Sequence, residues 1–214
     1  DLQRSVMRLG SLAICHLLVE MGLEPVFQIT CRDRNRLALQ SDLLSAYVLG
    51  IRNVLISTGD HPILGDHPEA KPVFDLDSVS LLKVASDLMK GKDMKGYQLN
   101  GSPKFFLGAV VNPCYEPVDL QIIKMEKKIE AGAKFFQTQA VYDLKKFEEF
   151  MKKVEKYKVP ILGGIVLLKS AEMAKYMNEN VPGVSVPEKY IKMMADAKKK
   201  DRVKVSLKIG AELI

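Results

Sequence analysis

Polar side chains follow several apolar runs of this chain at the points where those runs end. The first such phrase is Gln28-Ile-Thr-Cys-Arg-Asp-Arg-Asn-Arg36, and the second is Ser57-Thr-Gly-Asp-His-Pro62. A third, Gly132-Ala-Lys-Phe-Phe-Gln-Thr-Gln-Ala-Val-Tyr-Asp143, ends another apolar run. Because parallel α/β folds bind their ligands at the carboxyl ends of their strands, these phrases are the predicted sites of chemistry.

The second phrase combines a glycine with a fixed negative charge. Gly59 allows close approach of the backbone to a ligand, and Asp60 offers a carboxylate beside it. A turn in which Asp60 caps a neighbouring amide accounts for the same residues, and the sequence favours neither. The Asp-His pair that begins at Asp60 recurs at Asp66-His67, but adjacent pairs lack the spacing of known metal sites, so we predict no metal here.

The third phrase carries two amides, Gln137 and Gln139, on either side of Thr138. A buried amide without partners costs about 1 to 3 kcal/mol, so a polar group is expected above them. A heterocycle with donors and acceptors on its edge, such as a flavin or a pterin, satisfies both sides of an amide. Lys128, near the end of the preceding predicted helix, either complements the helix dipole or reaches a phosphate.

The first phrase begins with Gln28 and Thr30, which lie two residues apart and would face the same side of a strand. They could point into the mouth of a barrel, or they could cap the strand end.

Three arginines follow in the same phrase. Arg32, Arg34 and Arg36 are predicted to open a helix, where positive charge favours a bound anion unless acidic neighbours compensate. Pairing with Asp33 and Asp42 is the alternative, and it accounts for the arginines equally well.

Five apolar runs that carry these residues predict five parallel strands. The runs are Glu24 to Thr30, Asn53 to Thr58, Phe105 to Val111, Lys134 to Gln139 and Pro160 to Val166. None alternates cleanly, which is typical of parallel strands covered on both faces. Helical patterns lie between them; Asp143 is a predicted N-cap, and Gly22, Gly50 and Gly132 are predicted helix ends. The fold class is therefore α/β with a parallel sheet.

This pattern fits both an open sheet and a closed barrel. The chain has no Gly-x-Gly-x-x-Gly after a strand and no phosphate-binding loop of the Gly-Lys-Ser/Thr type, which favours the barrel. The irregular stretch from His61 to Asp77, with three prolines, is predicted to be a functional loop above the sheet.

The composition is that of a soluble globular chain, with 47% hydrophobic and 27% charged residues. We predict a single domain over residues 1–214 in a cytoplasmic setting, because no apolar run approaches the length of a membrane span and the start does not read as a signal peptide. The net charge of +6 is spread over many lysines without a basic-aromatic motif, so no nucleic-acid partner is expected. Cys15, Cys31 and Cys114 are predicted to be free thiols.

Four segments together resemble the flavin-dependent methylenetetrahydrofolate reductases. They are Thr30-Cys31, Asn53 to Pro62, Glu130 to Asp143 and Pro160 to Asn178. The resemblance implies a (β/α)8 TIM barrel with FAD at the carboxyl ends of its strands. It also implies hydride transfer from NAD(P)H through FAD to 5,10-methylenetetrahydrofolate, giving 5-methyltetrahydrofolate in one-carbon and methionine metabolism.

The resemblance also assigns roles to individual positions. Cofactor contacts fall on Gln28, Thr30, Thr58, Gly59, Asp60, Leu76, Asn112 and Lys128. Asp60 is implied to be catalytic, beside the pyrimidine ring of the flavin, and Gln139 is implied to contact both the nicotinamide and the pterin. Gln28 stands where many family members have His, and Thr58 where some have Arg, so FMN stays open beside FAD.

Other parts of the family pattern fall outside this sequence. The resemblance implies that the five strands are the third to the seventh of eight, and that the glutamate acting as general acid lies on the first. We therefore expect a longer protein of roughly 280 to 300 residues, a length typical of a barrel domain. The alternative function is a noncatalytic or partner-dependent flavin-binding subunit that receives electrons from another protein, such as an iron-sulfur or zinc-containing partner. A homo-oligomer is expected in either case.

Overall fold

The structure, a computed structural model, describes residues 6–214. Five strands alternate with helices along the chain. In chain order the elements are α1 Ser11–Glu20, β1 Val26–Thr30, α2 Arg36–Val48, β2 Asn53–Ser57, a 3-10 turn Pro62–Leu64, α3 Ser78–Leu88, β3 Phe106–Val111, α4 Val118–Glu130, β4 Phe135–Ala140, α5 Leu144–Val154, a 3-10 turn Glu155–Tyr157, β5 Ile161–Gly164, α6 Ala171–Asn180, α7 Glu188–Asp196, a 3-10 turn Lys199–Asp201 and α8 Arg202–Glu212. All five predicted strands are confirmed, with bounds close to those expected.

The strands form a sheet in chain order, β1-β2-β3-β4-β5. The pairs β1 with β2, β2 with β3 and β4 with β5 are parallel. A helix follows each strand, as parallel pairing requires a crossover connection. The α/β class is confirmed, and the alternation is consistent with part of a (β/α)8 barrel.

The chain divides into two compact units. The first contains the described residues up to Val110 together with Glu126–Phe135, and the second contains Val111–Met125 and Phe136–Ile214. The single domain over residues 1–214 stays a prediction.

In the first unit, β1 to β3 are buried between helices. Ile29, Val54 and Ile56 are fully buried, as are Leu39 of α2 and Leu81 of α3. This burial is the reason that these strands are nearly continuous apolar runs in the sequence.

Gly108, in β3 of the same unit, lies where there is no room for a larger side chain. A Cβ atom built there would overlap the ring of Phe135, so a larger residue would have to displace that ring. The Phe135 ring in turn stacks on Phe106, with ring centroids 5.3 Å apart.

The second unit has its own core, formed largely by its last three helices. Its buried members include Ala174 of α6, Tyr190 and Met194 of α7, and Ile209 of α8. Tyr142, which follows β4, belongs to this core, and its hydroxyl donates to the carbonyl of Val166 at 2.6 Å. A buried phenol of this kind satisfies its polar end while its ring contributes apolar area.

Side-chain caps account for several helix starts. Asp143 accepts the N–H of Lys146 at the start of α5, so the predicted N-cap is confirmed. The predicted helix containing all three arginines is wrong, because Asn35 accepts the N–H groups of Leu37 and Ala38 and α2 therefore begins only at Arg36. Among the helices within residues 6–214, none combines the length and the apolarity needed to cross a membrane.

Candidate functional site

The carboxyl ends of β1 and β2 bring five of the predicted site residues into one region of the first unit. Thr30 and Ser57 are register partners, and the N–H of Cys31 donates to the Ser57 carbonyl at 3.2 Å. Gln28 is exposed on β1, two residues before Thr30. The segment 58–60 leaves β2 directly beside the end of β1.

Gly59 lies tightly against the end of β1. Its φ is +91°, and a Cβ atom built there would lie 3.1 Å from the Cβ of Thr30 and 3.2 Å from that of Arg32. Only glycine suits both this backbone conformation and this spacing. Asp60, the next residue, is exposed. It therefore lies at the surface of a turn that packs against Thr30 and Arg32 through Gly59.

Arg32 supports that turn from inside the protein. It is the largest of the fully buried side chains in the described chain, with 1% of its surface exposed. Its Nε and Nη2 each donate to one carboxylate oxygen of Asp33 at 2.8 Å, and its Nη1 donates to the backbone carbonyl of Asp60 at 3.3 Å. A buried guanidinium requires such pairing, because removing an unpaired charge from water costs roughly several kcal/mol of desolvation free energy.

The other two arginines of the first phrase also pair with carboxylates. Arg34 lies 2.9 Å from Asp42, and Arg36 forms a two-pronged contact with Asp75, at 2.7 and 2.8 Å. The side-chain and backbone hydrogen bonds from Arg36 lower the pKa of Asp75 to about 2. Local pairing therefore accounts for the arginines, as the alternative proposed, although Arg36 uses a partner 39 residues away.

The loop between β2 and α3 is irregular, as predicted, and hydrogen bonds connect it to other parts of the first unit. The N–H of Val73 donates to the carbonyl of Arg32 at 2.7 Å, and the N–H of Ser78 donates to the hydroxyl of Thr58 at 3.2 Å. Leu76 lies in the same loop and is buried. The ring of His61 stacks on that of Phe74, with centroids 6.3 Å apart.

The two Asp-His pairs in this loop are arranged differently. The Nδ1 of His67 lies 2.9 Å from the carboxylate of Asp66, and this contact raises the pKa of His67 and lowers that of Asp66. His61 instead accepts the backbone N–H of Ile63. Across residues 6–214, no three or more His, Cys, Asp or Glu side chains are grouped so that they could hold a metal ion.

Lys128 extends from α4 to β3. Its Nζ donates to the carbonyl of Val110, the last residue but one of that strand, at 2.6 Å. The ammonium group therefore lies near the carboxyl end of a strand in the first unit.

The second unit carries Gln139 near the end of β4. The residue is exposed, and within the described part of the chain its side-chain amide makes no hydrogen bond to another residue. The neighbouring Thr138 is buried; its hydroxyl donates to the Gln139 carbonyl and accepts the N–H of Gly164, at 2.7 and 2.8 Å. The register between β4 and β5 shifts between Gln137 and Ala140, and this shift coincides with the polar phrase.

Asn112 lies in the second unit, directly after β3. Its Nδ2 donates to the carbonyl of Pro182 at 3.0 Å, and its Oδ1 is buried without a hydrogen-bond partner among residues 6–214. Gly183 lies so close that an added Cβ atom would overlap the Asn112 amide.

Comparison with known proteins identifies the family. The methylenetetrahydrofolate reductase family model matches residues 3–214. The chain belongs to this family. Methylenetetrahydrofolate reductase 2 of Schizosaccharomyces pombe is 28% identical over 190 residues, covering 81% of this chain and 28% of the relative. The 5,10-methylenetetrahydrofolate reductase of Pectobacterium carotovorum subsp. carotovorum is 28% identical over 129 residues, covering 60% of this chain and 38% of the relative.

The chain spans well under half the length of these reductase relatives. A probable methylenetetrahydrofolate reductase (NADPH) of Caenorhabditis elegans is 25% identical over 156 residues, which make up 72% of this chain and 22% of the relative. Among solved structures, an uncharacterized protein from Clostridium thermocellum that binds two copies of 5-methyl-5,6,7,8-tetrahydrofolic acid is similar, with a TM-score of 0.55 and 18% identity. That similarity covers 88% of this chain and 59% of the other, and it supports the fold.

The local sequence does not predict that Arg32 is buried and donates to the carbonyl of Asp60. The sequence offers a bound anion or pairing with Asp33 and Asp42 for the arginines, and an arginine is rarely fully buried. The sequence does contain one signal. Arg32 directly follows the apolar run that ends at Thr30-Cys31, and the residue after it is acidic. Its proximity to Gly59 could not be seen, because the two residues are brought together only by strand pairing.

Proposed function

We propose that the protein is a flavin-dependent methylenetetrahydrofolate reductase. In this proposal it reduces 5,10-methylenetetrahydrofolate to 5-methyltetrahydrofolate with NAD(P)H as the electron source and FAD as the cofactor. The observation that supports it most directly is the exposed carboxylate of Asp60, held on a glycine turn beside the end of β1, in a chain of this family.

The residues of the first unit suit the polar edge of a flavin. Gln28 and Thr58 are exposed and offer an amide and a hydroxyl, and the Gly59 backbone carries no side chain that would hold a ligand away. Such a mixture of donors and acceptors matches a ring edge that presents both. Lys128 supplies a cation for a phosphate of the cofactor, and the backbone at Leu76 is proposed to contact the adenosine part. A bound flavin supplies hydride transfer between a nicotinamide and a folate.

Asp60 is the proposed electrostatic residue of the reaction. A fixed carboxylate favours the cationic iminium form of the folate and disfavours extra negative charge on the cofactor. The packing of Gly59 against Thr30 and Arg32 keeps the turn in place, so the charge needs little reorganisation when substrate binds.

Gln139 is the proposed substrate-binding residue. Its exposed amide can donate with its nitrogen and accept with its oxygen, which matches both the carboxamide of a nicotinamide and the edge of a pterin. The Thr138 hydroxyl holds the backbone at this position through Gly164. Asn112 is proposed to line the cofactor site.

The test uses the intact purified protein and the variant Asp60→Asn. We expect a yellow protein whose absorbance is bleached by NAD(P)H and restored by methylenetetrahydrofolate. Asp60→Asn should slow the reoxidation by folate about 10- to 100-fold, with a smaller effect on reduction by NAD(P)H, because the positive charge develops on the folate. Asp66→Asn, a neutralisation in the same loop, is the matched control and should change neither rate.

The outcomes separate the alternatives. Absence of bound flavin in the intact protein would contradict the proposal, and chromatography of the released cofactor distinguishes FAD from FMN. Bleaching by dithionite but not by NAD(P)H, with normal reoxidation by folate, would instead identify a subunit that receives its electrons from another protein.

A further inference from the structure

A buried guanidinium lies directly beneath the turn that presents Asp60. The Arg32 side chain is 1% exposed, yet it carries a full positive charge in the first unit. The three nitrogens of its guanidinium bind three different oxygens: Nε and Nη2 each donate to one carboxylate oxygen of Asp33, and Nη1 donates to the carbonyl of Asp60. A fork held on one side by a carboxylate has a fixed orientation, so its remaining nitrogen points in a fixed direction.

The backbone of Arg32 is equally constrained. It follows Cys31, whose N–H pairs with the Ser57 carbonyl, and its own carbonyl accepts the N–H of Val73 from the loop before α3. The Cβ of Arg32 also lies 3.2 Å from the position that a Cβ at Gly59 would take. Arg32 therefore contacts the turn through packing and through a hydrogen bond to the next peptide.

From this arrangement we infer that Arg32, oriented by Asp33, is a positioning residue for Asp60. It holds the peptide carbonyl of Asp60 and thereby sets the direction in which the carboxylate leaves the turn. This inference rests on the proposed function, in which Asp60 acts on the folate. Arg32 itself is buried and is not proposed to touch the folate or the cofactor.

A lysine at this position cannot reproduce the arrangement. An ammonium group can bind Asp33, but it lacks the planar fork that reaches two carboxylate oxygens and the Asp60 carbonyl together. Arg32→Lys keeps the charge and removes the geometry, so it is the informative variant. Arg34→Lys is the matched control, because Arg34 lies in the same phrase but pairs with Asp42.

The first measurement requires no cofactor. Hydrogen–deuterium exchange of peptides that cover residues 57–65 should accelerate in Arg32→Lys and remain at the wild-type rate in Arg34→Lys. Asp33→Asn, which preserves the shape of the partner and weakens the fork, should change exchange in the same direction. It keeps the inference testable if Arg32→Lys does not fold.

The second measurement asks whether Arg32 acts through Asp60. In the flavin-loaded intact protein, Arg32→Lys should slow reoxidation by methylenetetrahydrofolate about tenfold, because small displacements of a catalytic group are costly. The same substitution in an Asp60→Asn background should cost less than about twofold, since the two residues form one unit. If the loss of rate is merely structural, the two effects will multiply.

Unchanged exchange over residues 57–65 in both Arg32→Lys and Asp33→Asn would overturn the inference, and so would rate effects that multiply. If the wild-type protein binds no flavin, the proposed function fails. The exchange experiment then still decides whether Arg32 holds the turn.

Discussion

At the scale of single residues, Gly59 joins the backbone conformation of the turn to its packing. Its φ of +91° is costly for any residue with a Cβ, and the atoms of Thr30 and Arg32 leave little room for that Cβ. Gly59 therefore lets the Asp60 turn pack closely against the end of β1, although glycine has no side chain.

We predict that Gly59→Ala lowers the free energy of unfolding by about 1 to 3 kcal/mol, the range for a non-glycine residue forced into such a conformation. Urea denaturation of the intact protein measures it. Gly101→Ala is the control, because no atom lies within 4 Å of an added Cβ there and its φ is not in the left-handed region. Its effect should stay within about 0.5 kcal/mol. Equal effects of the two substitutions would contradict the role given to Gly59.

At the scale of elements, α2 and the loop before α3 are connected by one ion pair. The backbone N–H of Arg36 and its guanidinium both donate to Asp75, at the first turn of α2. A carboxylate at a helix N-terminus also interacts favourably with the helix dipole. Together with Val73 and Ser78, this contact fixes the segment that contains Leu76.

The pKa of Asp75 makes this connection sensitive to acid. Its folded-state pKa is about 2 and its ordinary value is 3.8, so the stabilisation is fully present above pH 3.8 and is lost as the pH falls through about 2. We expect the urea midpoint of wild-type protein to exceed that of Asp75→Asn at about pH 6, and the difference to shrink towards about pH 3. In an Arg36→Gln background, Asp75→Asn should show little of this pH dependence. A difference that grows on acidification would contradict the assignment.

The elements also show how far the sequence alone leads. Buried apolar runs and glycine stops predicted every strand and several helix ends, because a parallel strand covered on both faces must be apolar along most of its length. The Arg36–Asp75 pair spans 39 residues, and the burial of Arg32 depends on strand pairing, so neither follows from local patterns. The register shift near Gln137 could not be predicted either, because the sequence of one strand does not determine its register with the neighbouring strand.

At the scale of the whole molecule, each of the two units carries its own proposed ligand-binding residues. Gln139, proposed to bind substrate, and Asn112, proposed to line the cofactor site, belong to the second unit, and the other proposed cofactor-binding positions belong to the first. The net charge of +6 favours encounter with anionic ligands, the class to which the proposed folate and nicotinamide nucleotide belong, although the sequence has no concentrated basic patch. Because the two units carry different proposed residues, the stability of each unit affects a different part of the proposed function.

Two of the three cysteines allow the units to be followed separately. Cys31 lies in the first unit and Cys114 in the second, and both are free and buried, as is Cys15. Burial raises the pKa of all three thiols, that of Cys31 to about 12, and the charge of Asp77 adds to the effect at Cys31. A protonated, enclosed thiol is a poor nucleophile.

We therefore predict that Ellman's reagent at about pH 8 labels none of the three thiols rapidly in the native protein and all three in urea. Two variants that retain only Cys31 or only Cys114, with the other cysteines replaced by serine, would report the urea concentration at which each unit opens. Because labelling requires exposure, its onset should coincide with the loss of structure in that unit and not precede it. Rapid labelling of Cys31 without urea would show that the end of β1, on which the Asp60 turn packs, opens under native conditions.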